Sequence, residues 1–435
     1  MQTGLGDHKE KGTMTNLTQN SSKQFFGAAM RVVTLGVFLT FFGAGTVLAQ
    51  TKAYVTNTGD DTVSVIDTVS KTVVAIVPVG RFPSGIAVTP NGAFVYVTNF
   101  GGASVSVVDA TTNTVIATVP VGVAPVAVAI TPDGAFAYVT NQFSDNVSVI
   151  NTTTNTVVTT VPVGLNPRGV AVAPNGAFVY VANGTSSSVS VINTTTNTVV
   201  ATIPGMEVPN FLAVTPNGAF VYVPNALADD VRVIDTGTNT IVATVPVGGM
   251  STPAVPAAID ITPDGAFAYV ANVSNRTVSV INTATNTVTT TVPVGSGPLV
   301  LAVNPSGTHV YVPNSSDDTI SVIDTATNTV TATIPTGNGP TTVAFQKRIP
   351  IGSLIAQVQA LVGGGILTQN EADNLIKKLK GTQAKLDKGQ TGAVCGQLGS
   401  FINQVNAFIN NGSLTPSQGQ ALINAANAIK TSLGC

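Results

Sequence analysis

Short stretches in which every second residue is apolar fill most of this chain; "AFVYV" (93–97) and "VSVID" (63–67) are typical. Period-two alternation of Val, Ile, Tyr and Phe predicts half-buried β-strands. The text then repeats. All seven tyrosines (Tyr54, Tyr96, Tyr138, Tyr180, Tyr222, Tyr269, Tyr311) stand in one phrase, 42 residues apart except for the 47 between Tyr222 and Tyr269. A strand-built repeat of that length predicts the blades of a propeller. Each unit runs "GIAVT" (85–89), the turn "PNG" (90–92), "AFVYVTN" (93–99), "SVSVVD" (104–109), the hairpin "ATTNT" (110–114) and "VIATVPVG" (115–122). Gly92 suits a left-handed turn position. Four antiparallel strands per unit follow.

The repeat opens at Ala53 on a second strand and breaks off at Phe345 after a first strand, "TTVAF". Joined, the two fragments complete a seventh blade, so no blade keeps a bare edge. Residues 50–346 are therefore expected to form an all-β, closed seven-bladed propeller of four-stranded antiparallel blades.

Beyond Gly352 the apolar spacing turns helical, in 353–362, 369–386, 396–409 and 415–433. "ILTQNEADNLIKKL" and "SLTPSQGQALINAA" match in register, each offering a threonine cap. Residues 347–435 are read as a small all-α four-helix domain. The only cysteines, Cys395 and Cys435, lie near the start of the third helix and beyond the fourth. Antiparallel helices bring those ends together, which predicts a disulfide in an exported protein. Export itself is expected from residues 1–49, where a long polar stretch and Arg31 precede "VVTLGVFLTFFGAG", and Val47 and Ala49 suit a signal peptidase. The protein is expected to be secreted, periplasmic or on the cell surface, with no membrane span after cleavage.

Charge separates the same regions: residues 50–346 carry a net −9 and residues 347–435 a net +5. No basic run with interleaved aromatics occurs, which speaks against nucleic acid. The basic tail suits contact with an anionic surface, a partner or the acidic propeller.

"YVTN" at 54–57, 96–99 and 138–141, with "VSVID" and "VPVG", resembles the YVTN-family β-propeller repeat of secreted and surface proteins. "YVAN" at 180 and 269 and "YVPN" at 222 and 311 are small departures. "FINQVNAFINNG" (401–412) resembles the helical FIMAH domain of some bacterial surface proteins, with "NQV" departing from its signature. The resemblance implies blade topology and no particular chemistry.

Chemistry is scarce. The one histidine after the leader, His309, takes the slot of Phe94, Phe136, Phe178, Phe220 and Phe267, as a packing residue would. No haem motif, phosphate loop or serine–histidine–acid set appears, so no catalytic residue is assigned. "GDD" (59–61), "ADD" (228–230) and "SDD" (316–318) could hold calcium but are also ordinary hydrophilic turns; no cofactor is expected. Six first strands carry alanine where the seventh has Asp260 (Ala87, Ala129, Ala171, Ala213, Ala302, Ala344), read either as a structural hydrogen-bonding group or as a ligand contact. Loops before the first strands vary most between blades, while "TPNG" and "TNT" repeat. Variable loops carry recognition, which gathers Arg81, Phe82, Arg168, Glu207, Phe211, Met250 and Asp260 at one mouth. The expected function is binding of a protein, peptide or glycan there; the alternative is a lactonase-like hydrolase, since some propellers of related look open lactones.

Overall fold

The computed structural model describes residues 52–90, 92–247, 253–346, 351–386, 390–431 and 435. The leader, Met250 and the basic residues Lys347 and Arg348 lie outside them.

Seven four-stranded antiparallel sheets follow one another. Blade 1 is the composite: Pro340–Phe345 forms its innermost strand against Lys52–Asn57, with Ala53 opposite Phe345, Tyr54 opposite Ala344 and Val55 opposite Val343. Blades 2 to 7 each begin with their own first strand. The break in the repeat is thus the closure of the ring. Side chains reinforce it: Thr56 Oγ1 lies 2.8 Å from Thr341 Oγ1 and accepts from Thr342 N at 3.1 Å, and Gln346 Nε2 donates to Gly92 O at 2.7 Å. Phe345 sits edge-on to Tyr311 at 5.0 Å.

The repeated letters are the joints of the blades. Every "YVTN" tyrosine is buried, and four hydroxyls donate to a turn asparagine of the next blade: Tyr96 to Asn155 Oδ1 at 2.6 Å, Tyr138 to Asn197 Oδ1 at 2.7 Å, Tyr222 to Asn286 Oδ1 at 2.7 Å and Tyr269 to Asn328 Oδ1 at 2.9 Å. Those turn asparagines are left-handed, a conformation asparagine tolerates well. The second-strand asparagines are equally buried and tie two polar groups of the third strand: Asn141 Nδ2 donates to Asn146 Oδ1 at 2.8 Å and to Ser148 Oγ at 2.9 Å. The glycine of "VPVG" rests on this amide. A Cβ on Gly122 would lie 2.7 Å from Asn141 Cβ, which explains why both letters recur together.

Two first strands are shorter than their text suggests. Those of blades 5 and 7 keep only Ala213–Val214 and Ala302–Val303. Inner backbones approach closely at this level: a Cβ on Gly85 would meet Val126 O at 2.4 Å, and one on Gly169 would meet Phe211 Cα at 2.6 Å. Bulky Phe211 and Val300 occupy the same slot in the short blades. There the chain leaves its own ladder and makes parallel bridges to the next blade, Phe211 to Ala258 and Val300 to Thr342.

The helices are α1 (Ile351–Gly363), α2 (Gln369–Leu386), α3 (Thr391–Asn410) and α4 (Pro416–Thr431), sharing a core that includes Leu354, Leu375, Leu398, Phe401 and Ile429. The duplicated caps form as read: Thr368 N donates to Glu371 Oε2 at 2.9 Å, and Thr415 N donates to Gln418 Oε1 at 3.0 Å. Cys395 and Cys435 are disulfide-bonded, their Cα atoms 5.8 Å apart. Among the described residues no helix is long and apolar enough to cross a membrane.

Candidate functional site

Strand direction sorts the loops onto two rims. Loops joining a fourth strand to the next first strand (4–1 loops) meet the 2–3 loops of the same blade: Phe100 N donates to Phe82 O at 3.0 Å and Gln142 N to Ala124 O at 2.9 Å. These are the loops with variable text. The acid pairs belong to their scaffolding. Asp61 Oδ1 accepts from Phe82 N of the next blade at 2.7 Å, Asp145 Oδ1 from Asn166 N at 2.8 Å, and Asp229 Oδ1 from Ala254 N and Val255 N at 2.9 Å each. Asp61 and Asp229, from the triplets read as possible calcium ligands, thus join Asp145 in holding neighbouring blades in step. Among the described residues no three His, Cys, Asp or Glu side chains come together as a metal group.

The two rims use the left-handed backbone differently. On the repetitive rim it falls to Gly92, Gly134 and their counterparts, and to asparagine in six of the seven 3–4 turns, with Lys71 (55°) in the seventh. On the variable rim, besides Asp and Asn, Phe82 (φ 51°), Ala103 (46°), Ala124 (56°), Ser187 (50°), Val208 (56°), Val255 (51°) and Arg276 (54°) adopt it. L-residues other than Gly, Asn and Asp occupy that region at a cost of about 1–2 kcal/mol, and β-branched valine least readily. The 4–1 slot of Phe82, Ala124, Val208 and Val255 is filled by Asn166, Gly297 and Gly339 in the other blades at less cost.

The sequence candidates do not merge into one cluster. Arg81 is exposed, its guanidinium 5.4 Å from the centre of its neighbour's ring, Phe82. Glu207 is exposed, and its backbone N–H donates to Asn225 Oδ1 at 3.3 Å. Phe211 is half-buried and donates its N–H to Ala257 O at 3.2 Å. Asp260 stands deeper, on the wall of the inner strands; its carboxylate accepts from Ile261 N and, across the blade boundary, from Val303 N, both at 2.8 Å. It thus makes the structural hydrogen bonds that were one of its two readings. Arg168 is half-buried at the rim, Nε 3.2 Å from Asn166 Oδ1 and Nη1 3.5 Å from Asn210 Oδ1. Burial lowers the pKa of its guanidinium.

Five rim residues were not singled out in the sequence. Phe100 and Phe143 meet edge to face at 6.0 Å across adjacent blades. Phe143 is 64% exposed, and Val123, Leu165 and Leu227 are exposed beside the same loops. Together with Phe82 they make an apolar arc over blades 2 to 5. Comparing the seven 2–3 loops slot by slot would have shown Phe100, Phe143 and Leu227, because other copies carry Thr58, Gly59, Thr185, Ser274, Ser315 and Ser316 there. His309 lies on the opposite rim, where Thr308 Oγ1 is 3.0 Å from its Nδ1.

Fold and loops define a closed seven-bladed β-propeller with one variable rim, followed by a helical domain. Residues 47–157, 109–210 and 199–345 match the family described as lactonase, 7-bladed beta-propeller, and the chain belongs to that family. Residues 351–431 match the FIMAH domain. No curated protein matches the sequence. Among solved structures, one from Lactobacillus plantarum is similar at 19% identity and a TM-score of 0.61, covering 68% of this chain and 99% of that one. A putative 6-phosphogluconolactonase from Bacteroides uniformis is similar at 17% and 0.58, covering 68% and 99%. Kuenenia stuttgartiensis hydrazine synthase is similar at 24% and 0.59, covering 63% and 92%. At these identities the likeness is one of fold.

Proposed function

We propose that this is an exported binding protein whose variable rim recognises a protein, peptide or glycan. One observation carries the reading: the 4–1 loops of the rim hold Phe82, Ala124, Val208 and Val255 in a left-handed position that the other three blades fill with Gly or Asn. Residues kept against the preference of their backbone mark selection for something other than folding. The apolar arc of Phe82, Phe100, Val123, Phe143 and Leu165 offers the contact area that such recognition needs. Export is supported by the leader and by the Cys395–Cys435 disulfide, which persists in an oxidising compartment. The test is to screen the full chain on glycan and peptide arrays beside a Phe82→Ser/Phe143→Ser variant and an Asn175→Ser variant on the opposite rim. The reading expects the first variant to lose binding at least about tenfold, as two buried aromatic contacts would dictate, and the second to keep it. Equal binding by all three would sink it.

Family membership favours a second reading, lactone hydrolysis at the same mouth. Its arrangement differs from an acid–base site: the carboxylate of Asp260 is engaged by two backbone N–H groups, and His309 sits on the far rim. Turnover of a lactone panel, with and without calcium, separates the two readings; saturable hydrolysis abolished by rim substitutions would favour the enzyme.

A further inference from the structure

Seven residues hold the second position of the first strands at the variable rim: Ser84, Val126, Arg168, Asn210, Ala257, Leu299 and Thr341. Arg168 is the only charged one. It packs on the backbone of Gly184, where a Cβ would be 2.9 Å from its Nε. Its hydrogen-bond partners are the two amide oxygens of Asn166 and Asn210, and no ion pair reaches it among the described residues. The neighbouring acids Asp145 and Asp229 are engaged by backbone N–H groups instead.

The hydrogen-bonding balance of this cluster is one-sided. Asn166 Oδ1 also accepts from Gln142 Nε2 at 3.0 Å, and Asn210 Oδ1 faces the guanidinium. Three of the five guanidinium N–H groups remain, together with Nδ2 of Asn166 and of Asn210, so what the cluster presents outward is donors. We propose that Arg168, Asn166 and Asn210 form a subsite for a carboxylate of the ligand taken at the variable rim. The assignment rests on the rim being a binding face. A planar fork with a single positive charge matches the two oxygens and single charge of a carboxylate. A dianionic phosphate would be under-compensated by one arginine and repelled by a propeller of net charge −9. The lowered guanidinium pKa has the sign expected of a cation that has left water without gaining an anion.

The chain contains only six arginines, so their Nε resonances can be resolved after arginine labelling with nitrogen-15. The full chain is titrated with sodium propionate and, separately, with inorganic phosphate, and Arg168→Lys identifies the resonance. Expected is a saturable shift at Arg168 that exceeds any at exposed Arg81, with propionate half-saturating at lower concentration than phosphate. Asn210→Ala should raise the propionate concentration needed about fivefold, the worth of one hydrogen bond. A shift that never saturates, or that only matches Arg81, overturns the subsite. Tighter phosphate binding overturns the carboxylate assignment. Either failure leaves the array comparison intact: if Phe82→Ser/Phe143→Ser still loses array binding, the rim reading stands without the subsite.

Discussion

Replacing Asp260 by alanine restores the residue that the six other blades carry at this position. Consensus substitutions within a repeat commonly stabilise a protein by about 0.5–2 kcal/mol. Here the structure predicts the opposite sign. The Asp260 carboxylate accepts from Ile261 N and Val303 N, both at 2.8 Å, and the second bond joins blade 6 to blade 7 where the first strand of blade 7 is only two residues long. Hydrogen bonds to a charged acceptor contribute about 1.5–3 kcal/mol each. Two such bonds sum to about 3–6 kcal/mol; because Asp260 is only partly buried, solvent screening discounts this, and Asp260→Ala should cost roughly 2–3 kcal/mol. Asp260→Asn is a sharper probe. It keeps one acceptor for one amide but turns a donor toward the other, so it should be no milder than alanine. With no tryptophan in the chain, urea unfolding is best followed by circular dichroism, with hydrogen exchange read at the Val303 amide. Equal or greater stability of Asp260→Ala, with unchanged protection at Val303, would refute the inter-blade role.

Two further outcomes follow from the same geometry. Burial raises the tyrosine pKa values, to about 12 for Tyr96, Tyr138, Tyr269 and Tyr311. The native state thus holds the neutral phenol while an unfolded tyrosine ionises near 10, so this stability is complete below pH 10 and is lost as pH rises toward 12. Ultraviolet absorbance should show tyrosinate appearing together with loss of β-structure; stepwise ionisation in a still-folded ring would contradict the joints described. Reducing Cys395–Cys435, which closes a sequence separation of 40 residues, should lower the stability of the helical domain by about 4 kcal/mol in the chain-entropy account. The propeller transition should stay unchanged, which a paired calorimetric scan checks.

Most of the architecture was legible because each joint repeats. Tyrosine and turn asparagine, strand asparagine and glycine recur at fixed offsets, and the truncation at Phe345 supplied the closure. The hairpins close on contacts local in sequence: Asp67 Oδ1 accepts from Val69 N at 2.9 Å and from Ser70 N at 2.8 Å. What escaped the sequence is contact between copies. The partner of Asp260 is a backbone N–H 43 residues away, and a backbone group leaves no letter to read. The rim acids looked like metal ligands because nothing local shows that Asp229 faces the amides of Ala254 and Val255. Phe100 and Phe143 meet only because blades 2 and 3 adjoin. The shortening of two first strands depended on how near the inner backbones approach, a distance set by the ring as a whole.

On the proposed reading, the variable rim holds side chains its backbone does not favour for the sake of recognition. Unfolding of a Val208→Asn/Val255→Asn variant tests this without knowledge of the ligand, since Asn166 already occupies the equivalent left-handed position in blade 4 (φ 58°). Relief of strain should make the variant about 1–2 kcal/mol more stable than the parent. A variant less stable than the parent would show that Val208 and Val255 serve the fold, and would contradict the claim.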